Sequence, residues 1–211
     1  MKLSVSILSS SIKASDIVKK LNGMPIDYIH LDIMDGKFVE NKTWTFSEVK
    51  KILGHSNYPL DVHLMVENPK KYVEDYAMLN TSVITFHYEA VKDIDEMIDY
   101  IKNFGLKVGI AINPDTREEV LYPYLNKIDE VIVMSVYPGK SGQSFIPDAI
   151  DKIGNLKTEI DKQNSKCIVS VDGGINNETG YLCKLARVDM LVSATYIHND
   201  ILEHTKILKN L

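Results

Sequence analysis

The chain has 211 residues, of which 45% are hydrophobic, and 24 basic against 29 acidic side chains give a formal net charge of −5. No basic block stands out, which argues against a nucleic-acid surface, and no apolar run approaches the length of a membrane span. Residues 1–8 lack the long apolar region of a signal peptide. Cys167 and Cys183 have no metal-ligand spacing. We therefore expect a cytoplasmic protein with both thiols reduced in its core.

Short apolar segments alternate with amphipathic segments along the whole chain. A period of two in the first kind predicts strands, and a period near 3.6 in the second predicts helices. The predicted strands are 3–8, 27–36, 60–66, 82–87, 106–112, 130–136, 167–171 and 188–193. The predicted helices are 14–21, 46–53, 69–79, 94–104, 117–125, 147–162, 178–185 and 200–208.

Eight strand–helix units in order predict an α/β fold, a closed (β/α)8 TIM barrel with a parallel sheet. The alternative is an open doubly wound sheet. Such a sheet normally carries a glycine-rich dinucleotide turn after its first strand, and this chain has none. No low-complexity linker divides the sequence, so we expect a single domain over residues 1–211.

The second strand places His30 and Asp32 on the same face. Such a pair is either a hydrogen-bonded structural pair or half of a metal or acid/base site. Polar residues also end the third and seventh strands, where a barrel places its chemistry. Together they predict a site for zinc, iron(II), manganese or cobalt. We call His30, Asp32, His63 and Asp172 the His/Asp cluster. His87 ends the fourth strand without a further ligand, so we expect a structural or supporting role for it.

Turns follow the sixth, seventh and eighth strands, the first two of them with glycines, and we call residues 138–143, 172–174 and 193–195 the late loops. Loops at this place in a barrel often hold a phosphate through backbone N–H groups. Lys140 and Ser141 could add a cation and a hydroxyl, or Lys140 is simply a solvated charge. Three methionines also end strands. They are either core filler or an apolar collar that excludes water from the carboxylates. They are Met34, Met65 and Met134.

Several segments resemble the ribulose-phosphate 3-epimerase family. They include SILS (6–9), HLDIMDGKFV (30–39), DVHLMV (61–66), GIAINP (109–114), VMSV (133–136), VDGGI (171–175) and DMLVS (189–193). The resemblance implies that the His/Asp cluster binds one divalent metal and that Asp32 and Asp172 are the acid/base pair. It also implies a substrate-binding set that lies around them. That set comprises Ser6, His63, Met34, Met65, Met134, Gly139, Lys140, Ser141, Gly142, Gly173, Gly174, Ala194 and Thr195.

The expected reaction is the interconversion of D-ribulose 5-phosphate and D-xylulose 5-phosphate, a carbohydrate isomerisation of the pentose phosphate pathway. Only the neighbouring carbonyl acidifies the C3 proton, so inversion needs a base on one face and an acid on the other. We expect Asp32 and Asp172 to fill these roles through a cis-enediolate. The second and seventh strands are well separated around the barrel, which suits opposite faces. Such barrels often associate through their helices, and we expect a homo-oligomer.

Six residues, at four places in the chain, depart from the family's pattern. The family's usual Asp, Pro, Phe-Gly and Gly-Ser read here as Ser11, Glu40, Lys140-Ser141 and Ala194-Thr195. Two of the departures fall in the late loops, so the identity of the substrate stays open. D-allulose 6-phosphate is the alternative substrate. A barrel that binds a sugar phosphate without converting it is an alternative of another class, as is a metal-free phosphate-binding barrel.

Overall fold

The computed structural model describes residues 1–9, 11–54 and 56–211. Eight parallel strands follow one another around a closed barrel, and the last pairs with the first. The predicted (β/α)8 TIM barrel is therefore confirmed. The strands are β1 (Lys2–Ser6), β2 (Tyr28–Met34), β3 (Leu60–Met65), β4 (Thr81–His87), β5 (Lys107–Ile112), β6 (Glu130–Met134), β7 (Ile168–Asp172) and β8 (Met190–Ser193).

Helices connect successive strands and surround the barrel. They are α1 (Ala14–Leu21), α2 (Phe46–Leu53), α3 (Lys70–Ala77), α4 (Ile94–Lys102), α5 (Ala149–Gln163), α6 (Asn177–Leu185), α7 (Thr195–Asn199) and α8 (Ile201–Asn210). Three connections differ from the prediction, one of them by an unpredicted short 3₁₀ helix, Tyr88–Ala90, after β4. The helix expected at 117–125 is a 3₁₀ helix, Glu118–Tyr124, which contains Pro123; proline has no N–H for an α-helical bond. The short helix α7 was not predicted. Among the described residues, no helix is both long and apolar enough to cross a membrane.

The two faces of the strands differ sharply in character. Residues that point outward, such as Leu31 and Val62, join the helices in the main apolar core. The inward residues of β5 and β6 form a second, smaller apolar cluster around Ile132. On β1 to β4 and on β7 the inward face is largely polar and yet buried. Its buried polar residues include Ser4, Ser6, His30, Asp32, Asp61, His63, Thr85, His87 and Ser170.

Inside the barrel, β4 and β5 approach each other unusually closely. Gly109 lies in register with Thr85, and a Cβ at Gly109 would stand 2.1 Å from Thr85 Oγ1. No side chain fits in that space, so glycine is required at this strand position. The hydroxyl of Thr85 is fully buried and has no hydrogen-bond partner among the described residues.

Candidate metal centre and active site

Strand register brings the His/Asp cluster together at the C-terminal end of the barrel. Asp32 pairs with His63 across β2 and β3, and Asp172 ends β7 beside Met134 of β6. Only β1 and β8 separate β2 from β7 around the barrel, on its shorter side. One nitrogen or oxygen from each of the four residues lies within 4.8 Å of the other three. The structure thus assembles all four predicted ligands in one place.

The spacing of these atoms suits a single metal ion. Asp32 Oδ1 lies 3.3 Å from His30 Nε2 and 3.4 Å from His63 Nδ1. The corresponding distances from Asp172 Oδ2 are 3.7 and 3.6 Å. With metal–ligand bonds of about 2.0–2.2 Å, neighbouring ligand atoms stand roughly 3–4.4 Å apart.

The two ring nitrogens provide an independent test of the fit. His30 Nε2 and His63 Nδ1 are buried and have no hydrogen-bond partner among the described residues. Buried polar atoms are normally satisfied, and an unsatisfied one costs about 1–3 kcal/mol. Two such nitrogens facing two carboxylates are the donor set that a divalent ion satisfies. The His/Asp cluster can therefore hold a metal ion.

A buried carboxylate orients His30 from behind. Asp61 Oδ2 lies 2.7 Å from His30 Nδ1 and accepts a hydrogen bond of 2.9 Å from the hydroxyl of Ser4. With the proton of the neutral ring on Nδ1, Nε2 keeps its lone pair toward the cluster. Carboxylate support of this kind fixes the orientation of metal-binding histidines in general.

A different arrangement stands behind His63. Its Nε2 lies 2.9 Å from Nε2 of His87, and the two rings stack with centroids 5.0 Å apart. Nδ1 of His87 lies 3.3 Å from a carboxylate oxygen of Glu89. His87 thus supports a ligand, as expected, and burial lowers the pKa of its imidazole to about 4.

Electrostatics in the metal-free cluster favours separated charges. Burial opposes the charged form of His30, but the carboxylates of Asp61 and Asp32 outweigh it and raise the pKa of His30 well above its usual value. Burial likewise opposes ionisation of Asp32. His30 and His63 more than compensate, and they hold the pKa of the Asp32 carboxyl far below its usual range. Asp32 is therefore ionised at neutral pH. Its second oxygen accepts a 2.6 Å hydrogen bond from Ser6.

A cavity of about 280 Å³ opens above the cluster. Asp32 and Asp172 lie at its floor, with the three predicted methionines beside them. The late loops line the rest. Twelve of the predicted substrate-binding residues line this cavity: Ser6, Met34, Met65, Met134, Gly139, Lys140, Ser141, Gly142, Gly173, Gly174, Ala194 and Thr195. His63 does not line it, because its ring is fully buried within the cluster.

The late loops hold their shape through backbone contacts. Gly174 has a φ of +61°, and a Cβ there would stand 2.6 Å from the backbone nitrogen of Phe145, so only glycine fits. The side-chain amide of Gln143 donates to the carbonyls of Tyr137 and Lys140. Asn41, from the connection after β2, donates a 2.8 Å hydrogen bond to the Gly139 carbonyl.

Several residues at the site were missed by sequence reasoning. Asp61 alternates with His63 on β3, so the period-two rule could have identified it. Glu89, and Tyr196 and Asn199 of α7, gave no comparable signal, because their proximity to the site depends on tertiary structure. Residues that line the cavity without belonging to the predicted set or the late loops are Leu8, Val136, Ile175, Asn176, Val192, Tyr196 and Asn199.

The closed barrel with a His/Asp cluster at its C-terminal end defines a candidate metal-dependent barrel enzyme. Comparisons with known proteins agree. The model of the ribulose-phosphate 3-epimerase family matches residues 2–198. A ribulose-phosphate 3-epimerase of Chlamydia pneumoniae is 39% identical over 206 residues, covering 93% of this chain and 90% of the relative. The ribulose-phosphate 3-epimerase of Bacillus subtilis is 34% identical over 200 residues, covering 94% of this chain and 92% of the relative.

The chain therefore belongs to the ribulose-phosphate 3-epimerase family and is an isomerase of the epimerase type. Among solved structures, a Streptococcus mutans protein described as KGPDC superposes with a TM-score of 0.71. The superposition covers 99% of this chain and 95% of the Streptococcus mutans chain, and the two sequences are 16% identical. A similarity at this level of identity supports the barrel fold alone.

Proposed function

We propose that this protein interconverts D-ribulose 5-phosphate and D-xylulose 5-phosphate by moving a proton at C3. The observation that carries the proposal is the pair of carboxylates, Asp32 and Asp172, at the floor of one cavity within a cluster of metal-ligand type. Epimerisation needs a group that removes a proton and another that returns it from the opposite face. Two carboxylates on strands separated by β1 and β8 can approach a bound sugar from different sides.

Asp32 is suited to act as the base in one direction. Its carboxylate is ionised at neutral pH for the reasons given above, and Ser6 fixes one of its oxygens. Asp172 is less deeply buried than Asp32, with 17% of its side chain exposed, and it delivers the proton to the other face. In the reverse direction the two residues exchange roles.

Removal of the C3 proton places negative charge on the C2 oxygen of the sugar, beside the C3 hydroxyl, in a cis-enediolate. A divalent ion held by the His/Asp cluster would supply Lewis-acid stabilisation of that charge. Met34, Met65 and Met134 line the same space, so they exclude water from the reacting carbon. The late loops provide backbone N–H groups, Lys140 and Thr195 for the phosphate, which orients the sugar.

The decisive experiment follows ribulose 5-phosphate by proton NMR in deuterated water with the purified protein. Chelated protein and protein given back zinc, iron(II), manganese or cobalt are compared. We expect metal-dependent incorporation of deuterium at C3 together with the appearance of xylulose 5-phosphate. Absence of exchange with metal present would contradict the proposal, and the same assay on allulose 6-phosphate then tests the other substrate. Absence of exchange on both sugars would favour a barrel that only binds.

Several expectations from the sequence accompany this proposal. The native metal among the four candidates, the homo-oligomeric state and the cytoplasmic location stay predictions, as does a single domain over residues 1–211. Metal analysis of the protein as purified addresses the first, and sedimentation addresses the second.

A further inference from the structure

His63 binds a metal through Nδ1 only if that nitrogen carries no proton. The proton of the neutral ring must then sit on Nε2, which lies 2.9 Å from Nε2 of His87. Two protonated nitrogens cannot share that contact, because one of them must accept. Nε2 of His87 is therefore the acceptor, and His87 carries its own proton on Nδ1. That nitrogen lies 3.3 Å from Oε2 of Glu89, which can only accept while ionised.

Glu89 is itself held in a fixed orientation. Its Oε1 accepts a 2.8 Å hydrogen bond from the backbone N–H of Asn113 and another from the hydroxyl of Thr116. Lys152 of α5 donates to the carbonyls of the same connection. Burial alone would raise the pKa of the Glu89 carboxyl, but the hydrogen bonds with His87, Thr116 and the backbone N–H of Asn113 hold it down at about 2. Oε2 is thus left facing His87.

We propose that Glu89 and His87 are positioning residues that set the proton of His63 on Nε2 and thereby make Nδ1 the metal-binding atom. This inference rests on the proposed metal-binding function of the cluster. Neither residue touches the cavity, so neither is catalytic. Asp61 does the same for His30 in one step, whereas His63 is reached through an intermediate ring. Residues behind the ligands typically change metal affinity about tenfold to hundredfold when removed.

The substitution E89Q tests the direction of the relay with almost no change of shape. Two donors hold Oε1 in place, so the amide nitrogen of a glutamine would take the position of Oε2. A donor would then face His87 Nδ1, and the proton of His87 would move to Nε2. His63 Nε2 would have to accept, which moves the proton of His63 onto Nδ1 and blocks the ligand atom. E67Q is the matched control, because Glu67 also follows a strand at this end of the barrel and is 67% exposed.

A second variant separates the relay from a general packing effect. In H87Q the glutamine oxygen would stand near the position of Nε2 and can accept from His63 without help from Glu89. We therefore expect H87Q to retain the zinc affinity, and E89Q combined with H87Q to bind as tightly as H87Q alone. A purely structural role for Glu89 would weaken the double variant as much as E89Q.

The measurements are zinc affinity, by competition with a chromophoric chelator, and long-range ¹H–¹⁵N correlations of the histidine rings. We expect E89Q to lose about tenfold to hundredfold in zinc affinity and its His87 proton to move from Nδ1 to Nε2 in metal-free protein. E67Q should match the wild type in both. An E89Q variant with wild-type affinity and wild-type ring protonation would overturn the inference. If the wild type itself binds no zinc through His63, the proposed metal site fails, while the ring spectra of metal-free protein still decide the relay.

Discussion

The two ends of the cavity are built in different ways. At the floor, the His/Asp cluster comes from strand residues that are held by register, by a buried hydrogen bond from Ser6 and by buried hydrogen bonds to Asp61 and His87. At the other end, the late loops present glycines and backbone groups and are held largely by contacts between loops. Strand positions tolerate little variation, whereas loops vary readily on a rigid scaffold. The departures from the family pattern in the late loops fit this division, and we propose that the strands carry the chemistry while the loops select the sugar.

The largest expected effect lies at the floor. D172N keeps the shape of the side chain and removes its capacity to exchange a proton, so we expect kcat to fall about 10²–10⁴-fold with the barrel folded. Epimerisation of ribulose 5-phosphate and circular dichroism measure the two quantities. D115N is the control, since Asp115 is exposed and contacts Tyr137 outside the cavity. Turnover by D172N within tenfold of the wild type would remove the acid/base assignment.

The polar interior beneath the floor predicts a dependence of stability on pH. Burial, together with the negative charge of Asp61, raises the pKa of Glu130 to about 8. A group whose pKa is raised on folding favours the folded state fully below its unfolded pKa, about 4.5, and this stabilisation is lost as pH rises through 8. E130Q removes that loss. Its unfolding free energy in urea should therefore gain on the wild type between about pH 4.5 and 8, by on the order of a few kcal/mol.

A constant difference between E130Q and the wild type across this pH range would mean that Glu130 is not protonated in the folded barrel. E40Q serves as the control, because Glu40 is exposed and its replacement should leave no such slope. A similar dependence of stability on pH is not expected from the late loops.

At the loop end, G174A tests whether shape matters more than charge. The new methyl group would clash with the backbone of Phe145 at a φ of +61°, and we expect a loss of about 1–3 kcal/mol in unfolding free energy with a raised KM. G105A is the matched control: Gly105 has a φ of +72° with nothing near its Cβ position. The excess loss in G174A over G105A measures the clash. Equal losses would show that the contact with Phe145 yields easily.

The smallest expected effect concerns the charge of Lys140. K140Q should raise KM for the sugar phosphate about twofold to fivefold and leave kcat nearly unchanged, because exposed charge pairs contribute weakly. The effect should shrink as salt is added. K37Q is the control, since Lys37 is an exposed lysine outside the cavity. A fall in kcat without a change in KM would instead connect Lys140 to the chemistry. The separation of chemistry at the floor from substrate binding at the late loops would then be wrong.

The same division explains what could be predicted from sequence. His30, Asp32 and His63 were found from two kinds of signal. Alternation along a strand is a local property of the sequence, and the placement of chemistry at the C-terminal ends of barrel strands is a general property of the fold. Asp61 follows the same rule and could have been included. Glu89 lies only two residues after His87, but its orientation depends on Asn113 and Thr116 of the connection after β5. No local pattern reports that orientation. Likewise, the need for glycine at 174 arises from Phe145, which lies far along the chain.

The close approach of Gly109 to Thr85 constrains how this barrel can evolve. Because a Cβ at one position would overlap the hydroxyl of the other, a larger residue at 109 becomes acceptable only after Thr85 has been replaced by something smaller. The two sites are thus epistatic, and the order of substitutions matters. Random libraries built on this chain should recover folded variants changed at 109 only when 85 is also changed. Folded variants changed at 85 alone should also be recovered.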